Sequence, residues 1–576
     1  MSSNQGLETK AINNYQFWLQ DPFINDETKE ELQGIKNDPK EIEDRFYKDL
    51  EFGTGGLRGV IGAGTNRMNI YTVGKATQGL AQYILESQKP NQEKSAVIAY
   101  DSRHQSPEFA LEAALVLAGN GIKAYLYESL RTTPELSFAV RELNATAGIV
   151  ITASHNPPEY NGFKAYGSDG GQLVPDDAKK VIQHIRLIDS LNQVKKASKE
   201  EAEKDQLLVS IGKEIDDKFI KAITSVSLNS ETIKQMADPL KVVFTPLHGT
   251  GNIPVREALK EIGIDEVHVV KEQELPDPNF STVKSPNPEE KDAFALAIAK
   301  ADEIQADIMV GTDPDCDRMG AVVKNTQGAY EVLTGNQAGA IMLEYLLSNL
   351  KEQGNIPANG VLIKTIVTSE LGAKIAGSYG LKTLNTLTGF KYIGEKMSQF
   401  EKTGEATYVF GYEESYGYLA GTHARDKDAV VASMLICEAA AYYKSKGKTL
   451  YDVLLEIYEK QGTFLEVLHS RTLKGKAGME QIGSIMNGWR TNPPEELIST
   501  SITEVLDYEK GLDGLPKENV LKYKLADGSW FCLRPSGTEP KIKIYVGVNR
   551  QSKEEAQTIL DQLSAAIMNK VDGNKG

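Results

Sequence analysis

Cysteine is scarce in this 576-residue chain: three residues, Cys316, Cys437 and Cys532, lie far apart with no C-x-x-C among them. That excludes a disulfide framework and a thiolate zinc site, and a reducing, cytoplasmic setting is expected. Long apolar runs are missing too, since the richest stretch, AVVASMLICEAAAYY from Ala429, is shorter than the ~20 residues of a membrane span and contains Glu438. It reads as a core helix. The opening MSSNQGLETKAINNYQFWLQ lacks the apolar segment of a secretory signal. Positive charge is also in deficit, 64 Lys and Arg against 80 Asp and Glu for a net charge of −16, so neither nucleic acid nor an anionic membrane is an expected partner. Any bound anion needs a local positive site. The chain contains no G-x-x-x-x-G-K-[ST] and no G-x-S-x-G, and the glycines of GTGGLRG (53 to 59) do not fall in G-x-G-x-x-G. Nucleotide hydrolysis, the usual hydrolase elbow and a dinucleotide loop lose support, while Arg58, on what reads as a flexible loop, can still meet an anion.

What is present is ordinary globular composition, 40% hydrophobic and 25% charged, in a chain long enough for three to five domains. Short β-branched runs alternate with helical patterns. SAVIAYDSR (95 to 103), KAYLYE (123 to 128) and AGIVITAS (147 to 154), with the helical stretches between them, read as βαβαβ. KVVFTPLHG at 241 leads by helices to ADIMVGTDPD at 306, and GVLIKTIVTS at 360 leads to ATYVFGYEES at 406. The last unit differs: GSWFCLRPSGTEPKIKIYVGV reads as two strands around a loop, and SKEEAQTILDQLSAAIMNK as a helix opened by a Ser552/Glu555 capping box. Three α/β domains (1–208, 209–325, 326–455) and a smaller C-terminal α+β domain (456–576) are therefore expected. Four unusual loops, three of them directly after apolar strands, are expected to meet in one cleft, because ligands of open α/β sheets sit beyond the carboxyl ends of strands.

Each loop has a chemical reading and a plain one. In GTDPDCDR, an extended backbone would aim Asp313, Asp315 and Asp317 to one side as hard oxygen ligands for Mg²⁺, with Cys316 turned away; the plain reading is a polar turn. Calcium of the EF-hand type is excluded, because the sixth and twelfth positions hold Arg318 and Lys324 instead of Gly and Glu. RPSGTEP gathers Arg534, Ser536, Gly537 and Thr538 as the parts of a phosphate clamp, or simply turns a hairpin. In GYEESYG, Glu413 and Ser415 alternate from a strand end, fit for vicinal sugar hydroxyls, with Glu414 facing elsewhere and Arg425 and Lys427 adding charge for a phosphate; a solvated acidic turn is the alternative. Ser154, in TASHNPP, is a nucleophile, a cap or a turn residue. The two prolines hold it in a rigid loop that displays the hydroxyl, and His155 and Lys164 supply a proton carrier and a cation.

As a set and in this order, TASHNP, DPDCDR, GYEESYG and RPSGTEPK resemble the α-D-phosphohexomutase superfamily over nearly the whole chain, nearest to its bacterial α-phosphoglucomutases. The resemblance implies four domains around a central cleft. It implies that Ser154 is the phosphoserine, that Asp313, Asp315 and Asp317 with the seryl phosphate hold one Mg²⁺, and that Glu413 and Ser415 hold sugar hydroxyls. Arg534, Ser536, Gly537 and Thr538 would take the non-reacting phosphate, with Lys427 nearby, and Arg58, His155, Lys164 and Arg318 would surround the transferred group. The activity implied is interconversion of glucose 1-phosphate and glucose 6-phosphate through glucose 1,6-bisphosphate, by a monomer or weak dimer. The sugar loop departs from the GEMSGH type of the dual-specificity phosphomannomutases, which favours glucose, although phosphopentomutases also carry similar loops.

Overall fold

The run AGIVI at Ala147–Ile151 is buried at every position, as a strand covered by helices on both faces must be. In the computed structural model, which describes residues 2–53, 55–86, 93–236, 238–473, 475–536 and 541–573, it lies inside the first of four sheets. That sheet has the spatial order Gly56–Val60, Tyr160–Gly167, Ala147–Ile151, Ser95–Tyr100, Lys123–Tyr127, Leu208–Ile211, its last four strands parallel and the first two antiparallel. The second sheet runs Tyr330–Val332, Met319–Lys324, Ile308–Thr312, Val242–Thr245, Val267–Val269, and the third Lys382–Thr386, Gly360–Thr365, Thr407–Glu413, Gly417–Ala420. The fourth is wholly antiparallel, from Thr463–Thr472 at one edge to Glu496–Leu497 at the other, with the helix Lys553–Val571 packed against it.

Hydrogen-bonded strands relocate the expected breaks. Leu208–Ile211 pairs with Lys123–Tyr127, so the break near 208 moves beyond Ile211. Tyr330–Val332 pairs with Met319–Lys324, so 325 falls inside a hairpin of the second sheet. Position 455 lies within the helix Leu450–Gln461, which ends at Gly462 (φ 92) just before the fourth sheet begins. At the last helix, Ser552 accepts from the Glu555 backbone at 3.2 Å, but the Glu555 carboxylate lies 3.7 Å from Arg550, so only half of the expected capping box is made.

The helix Ala429–Ser445 explains how the second and third domains share one core. It is buried from Ala429 to Tyr442, starts at Asp428, whose carboxylate accepts from the backbones of Val430 (2.8 Å) and Val431 (3.0 Å), and packs on both Asn252–Glu261 and Gly335–Glu352. Glu438, the one charge in its middle, is fully buried and accepts from Ser227 Oγ (2.8 Å) and the backbones of Leu228 (2.8 Å) and Asn229 (2.6 Å). It fastens a loop of the second domain to this helix. Glu438→Ala should strand those donors and cost on the order of 3 kcal/mol, whereas Glu438→Gln, which keeps an acceptor, should lose much less; thermal unfolding of both variants checks this.

Candidate active site

The strand Ala147–Ile151 delivers Ser154 into a turn, where the serine adopts φ 53, a left-handed conformation that non-glycine residues seldom take. The prolines do not act alone in holding it there. Arg103 donates to the carbonyls of Ser154 (2.6 Å), Asn156, Pro157 (2.8 Å) and Tyr160 (3.0 Å). Ser154 is only 4% exposed, so the hydroxyl expected to be displayed is instead sunk at a domain junction, because the second domain covers it. Its Oγ donates to Asp313 Oδ2 at 2.8 Å and lies 3.1 Å from His155 Nδ1. Burial, then the charges of Arg318 and Arg58, hold the His155 imidazole well below its ordinary pKa.

The acidic loop follows the strand Ile308–Thr312 but is not extended. It turns, with Cys316 at φ 56 and its thiol buried in the core, and the turn rather than strand alternation gathers the acids. Oxygens of Asp313, Asp315 and Asp317 lie within 4.8 Å of one another, all buried. Lys164 reaches Asp315 (2.8 Å) and Asp317 (3.3 Å), Lys427 reaches Asp317 (3.0 Å), and Thr133 of the first domain donates to Asp315 Oδ2 (2.9 Å). Burial, then the charges of Asp315 and Asp317, push the Asp313 carboxyl well up. Burial also opposes ionisation of Asp317, but Lys427, Lys164 and Arg318 outweigh it and hold that carboxyl far below the usual range. Asp315 Oδ1 and Asp317 Oδ1 are buried without a hydrogen-bond partner. Hard oxygens, crowded and partly unsatisfied, fit Mg²⁺.

A cavity of about 600 Å³ opens beside this centre and takes lining from all four domains, including Arg58 and His155, Arg318, Glu413, Ser415 and Lys427, and Arg534. Seven of the expected residues therefore share one cavity, while Lys164 stands at the carboxylate triad. Arg58 sits not on a flexible loop but in the strand Gly56–Val60, opposite Gly162. Glu413 accepts from the Gly389 backbone at 2.8 Å, and Glu414, expected to face elsewhere, also lines the cavity and accepts from Thr368 Oγ1 (3.1 Å). Gly335 is required at the adjoining helix start, because a β-carbon there would stand 2.2 Å from the Glu414 carbonyl. Thr334, Gly335 and Asn336 thus bring a helix N-terminus to the cavity wall, a favourable place for an anion. Arg425 does not serve a phosphate: it is buried against Glu401 (2.7 Å) and its own loop's carbonyls. Arg318 pairs with Glu289, and Arg534 with Glu518 (3.3 Å). The Ser536 backbone N–H donates to the Lys541 carbonyl at 2.7 Å, and Gly537 and Thr538 lie outside the described residues.

Sequence reading missed Arg103, Thr133, Glu289, Glu414 and Glu466, the last a cavity-lining residue of the fourth domain that accepts from Asn336 at 3.1 Å. Thr132, Thr133 and Pro134 carry a signal for a helix start, which the structure has at Thr133–Glu142. No local signal shows that Thr133 reaches another domain.

Comparison with known proteins agrees with this architecture. Profiles of the phosphoglucomutase/phosphomannomutase α/β/α domains I, II and III match residues 49–192, 217–328 and 334–461, and that of the C-terminal domain matches 492–566. Phosphoglucomutase of Staphylococcus haemolyticus is 39% identical over 525 residues, covering 89% of this chain and 93% of the relative. That of Staphylococcus aureus MRSA252 is 40% identical over 523 residues, 88% and 91% of the two chains. Among solved structures, one from Thermus thermophilus described as a phosphomannomutase superposes with TM-score 0.68 at 22% identity, over 91% of this chain and 99% of the other. The Paramecium phosphoprotein pp63/parafusin, in its open form, gives 0.67 at 17% identity over 91% and 95%. Four domain matches in order, with identity near two-fifths over most of the length, establish that the chain belongs to the phosphoglucomutase/phosphomannomutase family.

Proposed function

We propose that the protein interconverts glucose 1-phosphate and glucose 6-phosphate by way of a phosphorylated Ser154. The observation that carries the proposal is the Ser154 hydroxyl 2.8 Å from Asp313, beside a triad of buried carboxylates and a cavity walled by four domains. Relatives named phosphoglucomutase support the choice of sugar. Phospho-Ser154 would give its phosphoryl group to the O6 oxygen of glucose 1-phosphate as the Ser154 Oγ–P bond breaks, the O6 proton passing in net to Ser154 Oγ. The glucose 1,6-bisphosphate so formed would turn over, and the O1 phosphoryl group would return to Ser154 Oγ, releasing glucose 6-phosphate. Glu413 and Ser415 would hold the sugar in either orientation, and Arg534 with the following loop, including Ser536, Gly537 and Thr538, would hold the phosphate that is not reacting. Arg58, Lys164, His155 and Arg318 are proposed around the phosphoryl group in transfer, with Lys427 at the sugar. Asp313, Asp315 and Asp317 with the seryl phosphate would hold Mg²⁺, which when bound supplies charge neutralisation to the phosphoryl oxygens. Water exclusion by the buried floor would keep the phosphoryl group from hydrolysis. Three buried free thiols suit the reducing cytoplasm proposed as its location, and a monomer or weak dimer is the proposed state. Among the described residues, no helix is long and apolar enough to cross a membrane.

Supplying glucose 1-phosphate with a trace of glucose 1,6-bisphosphate should yield glucose 6-phosphate without free phosphate, and intact mass should show one phosphate on the wild type that Ser154→Ala lacks. Release of phosphate in place of the isomer would mean a phosphatase. Chelation should stop turnover and Mg²⁺ restore it; full activity in metal-free protein would contradict the reading of the triad.

Arg534→Ala should lower kcat/KM by at least ~100-fold, since a charge-assisted bidentate contact is worth about 3 kcal/mol, while phosphorylation of Ser154 survives. Arg534→Lys should recover only part, as an ammonium lacks the planar fork. Steady-state kinetics of both variants test this.

Burial pushes Glu413 up to about 7, Lys427 opposing and Glu414 adding to the rise. Folding thus raises this pKa, so the folded chain binds the proton more tightly and stability from this group falls as pH climbs from its ordinary value toward about 7. Glu413→Gln should therefore be the more stable protein at pH 8, by up to ~3 kcal/mol, and the difference should fade toward pH 5. Urea unfolding across that range measures it; equal stabilities at pH 8 would show that the carboxyl carries no such cost.

A further inference from the structure

The phosphoserine loop is held from behind by a side chain that a different domain covers. Arg103, its side chain fully buried, spends its guanidinium on the carbonyls of Ser154 (2.6 Å), Asn156, Pro157 (2.8 Å) and Tyr160 (3.0 Å). Asp101 pairs with it at 3.3 Å and accepts from Thr152 Oγ1 (2.6 Å), so the anchor is built into the ends of two adjacent strands, Ser95–Tyr100 and Ala147–Ile151, the second of which leads into the loop. The Phe280 ring, from the second domain, stacks against the guanidinium with its centroid 4.9 Å away. Phe280 is buried at φ 48, a conformation that bulky side chains avoid.

The turn that presents Phe280 is tied down at several points. Asp277 accepts from the backbones of Asn279 (2.9 Å) and Ser281 (2.9 Å), and Thr282 Oγ1 meets Gln273 (3.0 Å) and His248 (2.8 Å). Asn279 Oδ1 reaches across to His104 Nε2 at 2.8 Å. Gln273 in turn accepts from Thr245, at the end of the strand Val242–Thr245. Through Gln273 the turn is tied to the end of Val242–Thr245, which pairs with Ile308–Thr312, the strand that leads into the carboxylate triad.

We propose that Phe280 is a positioning residue for phosphoryl transfer: its ring face holds the Arg103 guanidinium, and through it the Ser154 loop, in register with the carboxylate triad of Phe280's own domain. The inference rests on Ser154 being the phosphorylated residue. A cation over a ring is attracted by the negative charge of the π face, and that attraction can be weakened without changing the shape of the side chain.

The test replaces Phe280 in the full chain with 4-fluoro-, 3,5-difluoro- and 3,4,5-trifluorophenylalanine, nearly constant in shape with a progressively weaker face. Proteins carrying radiolabelled phosphate on Ser154 to the same extent are mixed with saturating unlabelled glucose 1-phosphate, and passage of the label from the serine into sugar phosphate is followed in a single turnover. The transfer rate should fall stepwise, by about three- to tenfold at trifluoro, with the KM for glucose 1-phosphate and the melting temperature little changed. Phe280→Leu, which keeps apolar volume without a π face, should transfer at least as slowly as the trifluoro protein. A trifluoro or leucine protein as fast as wild type would reduce Phe280 to packing and overturn its role while leaving the phosphoserine reading intact. An active wild type that carries no phosphate on Ser154 would overturn that reading and this role together.

Discussion

Three carboxylates buried side by side cannot remain ionised without cations brought from elsewhere, and the arrangement of the first three domains answers that demand. At about 4 Å and an effective dielectric near 20, each like-charged pair costs about 4 kcal/mol. The second domain supplies the acids, the first supplies Lys164 and Thr133, and the third supplies Lys427. Domain contacts and site chemistry are thus one set of interactions. Ser154 takes part in it, because its hydroxyl donates to Asp313 from the far side of a domain boundary.

Apolar packing reinforces the same junction. The helix Ala429–Ser445 begins at Asp428, one residue past Lys427, so the lysine that faces the triad is carried at the start of the most deeply buried helix in the shared core of the second and third domains. Rigidity at the junction lets side chains such as Lys427 be aimed by backbone that cannot yield, the condition a preorganised electrostatic site requires.

The fourth domain is joined differently. Lys522 donates to the Ile366 carbonyl (2.7 Å) and pairs with Glu370 (3.1 Å), Asn336 donates to Glu466 (3.1 Å), and a small apolar cluster brings Ile366, Val367 and Tyr392 against Trp530 and Tyr545. Three charged residues that bound the cavity from this side, Glu466, Arg534 and Lys543, stand on an antiparallel sheet with its own core. A ligand with a charged group at each end would add a further bridge across the cavity.

Much of this was legible in the amino-acid order, for reasons that can be stated residue by residue. The runs AVIA and IMVG declare buried parallel strands because they are apolar on both faces, and a reactive loop after such a strand must lie at a sheet's carboxyl edge. Ser154, the aspartates, Glu413 and Arg534 could be singled out because each stands within a few residues of its strand end, where local pattern carries the information. Arg103, Thr133, Phe280 and Glu466 could not, since each acts on a partner more than fifty residues away or across a domain boundary. The conformation of the acidic loop was misread for a similar reason: alternation suggested an extended chain, but a left-handed Cys316 with its thiol in the shared core makes the turn. Strand and helix type and the identity of the reactive loops follow from short-range periodicity and turn chemistry, which the sequence by itself determines. The depth at which Ser154 lies, the lysines that Asp315 and Asp317 meet and the ring that covers Arg103 follow from long-range packing and electrostatics, which only the tertiary structure decides.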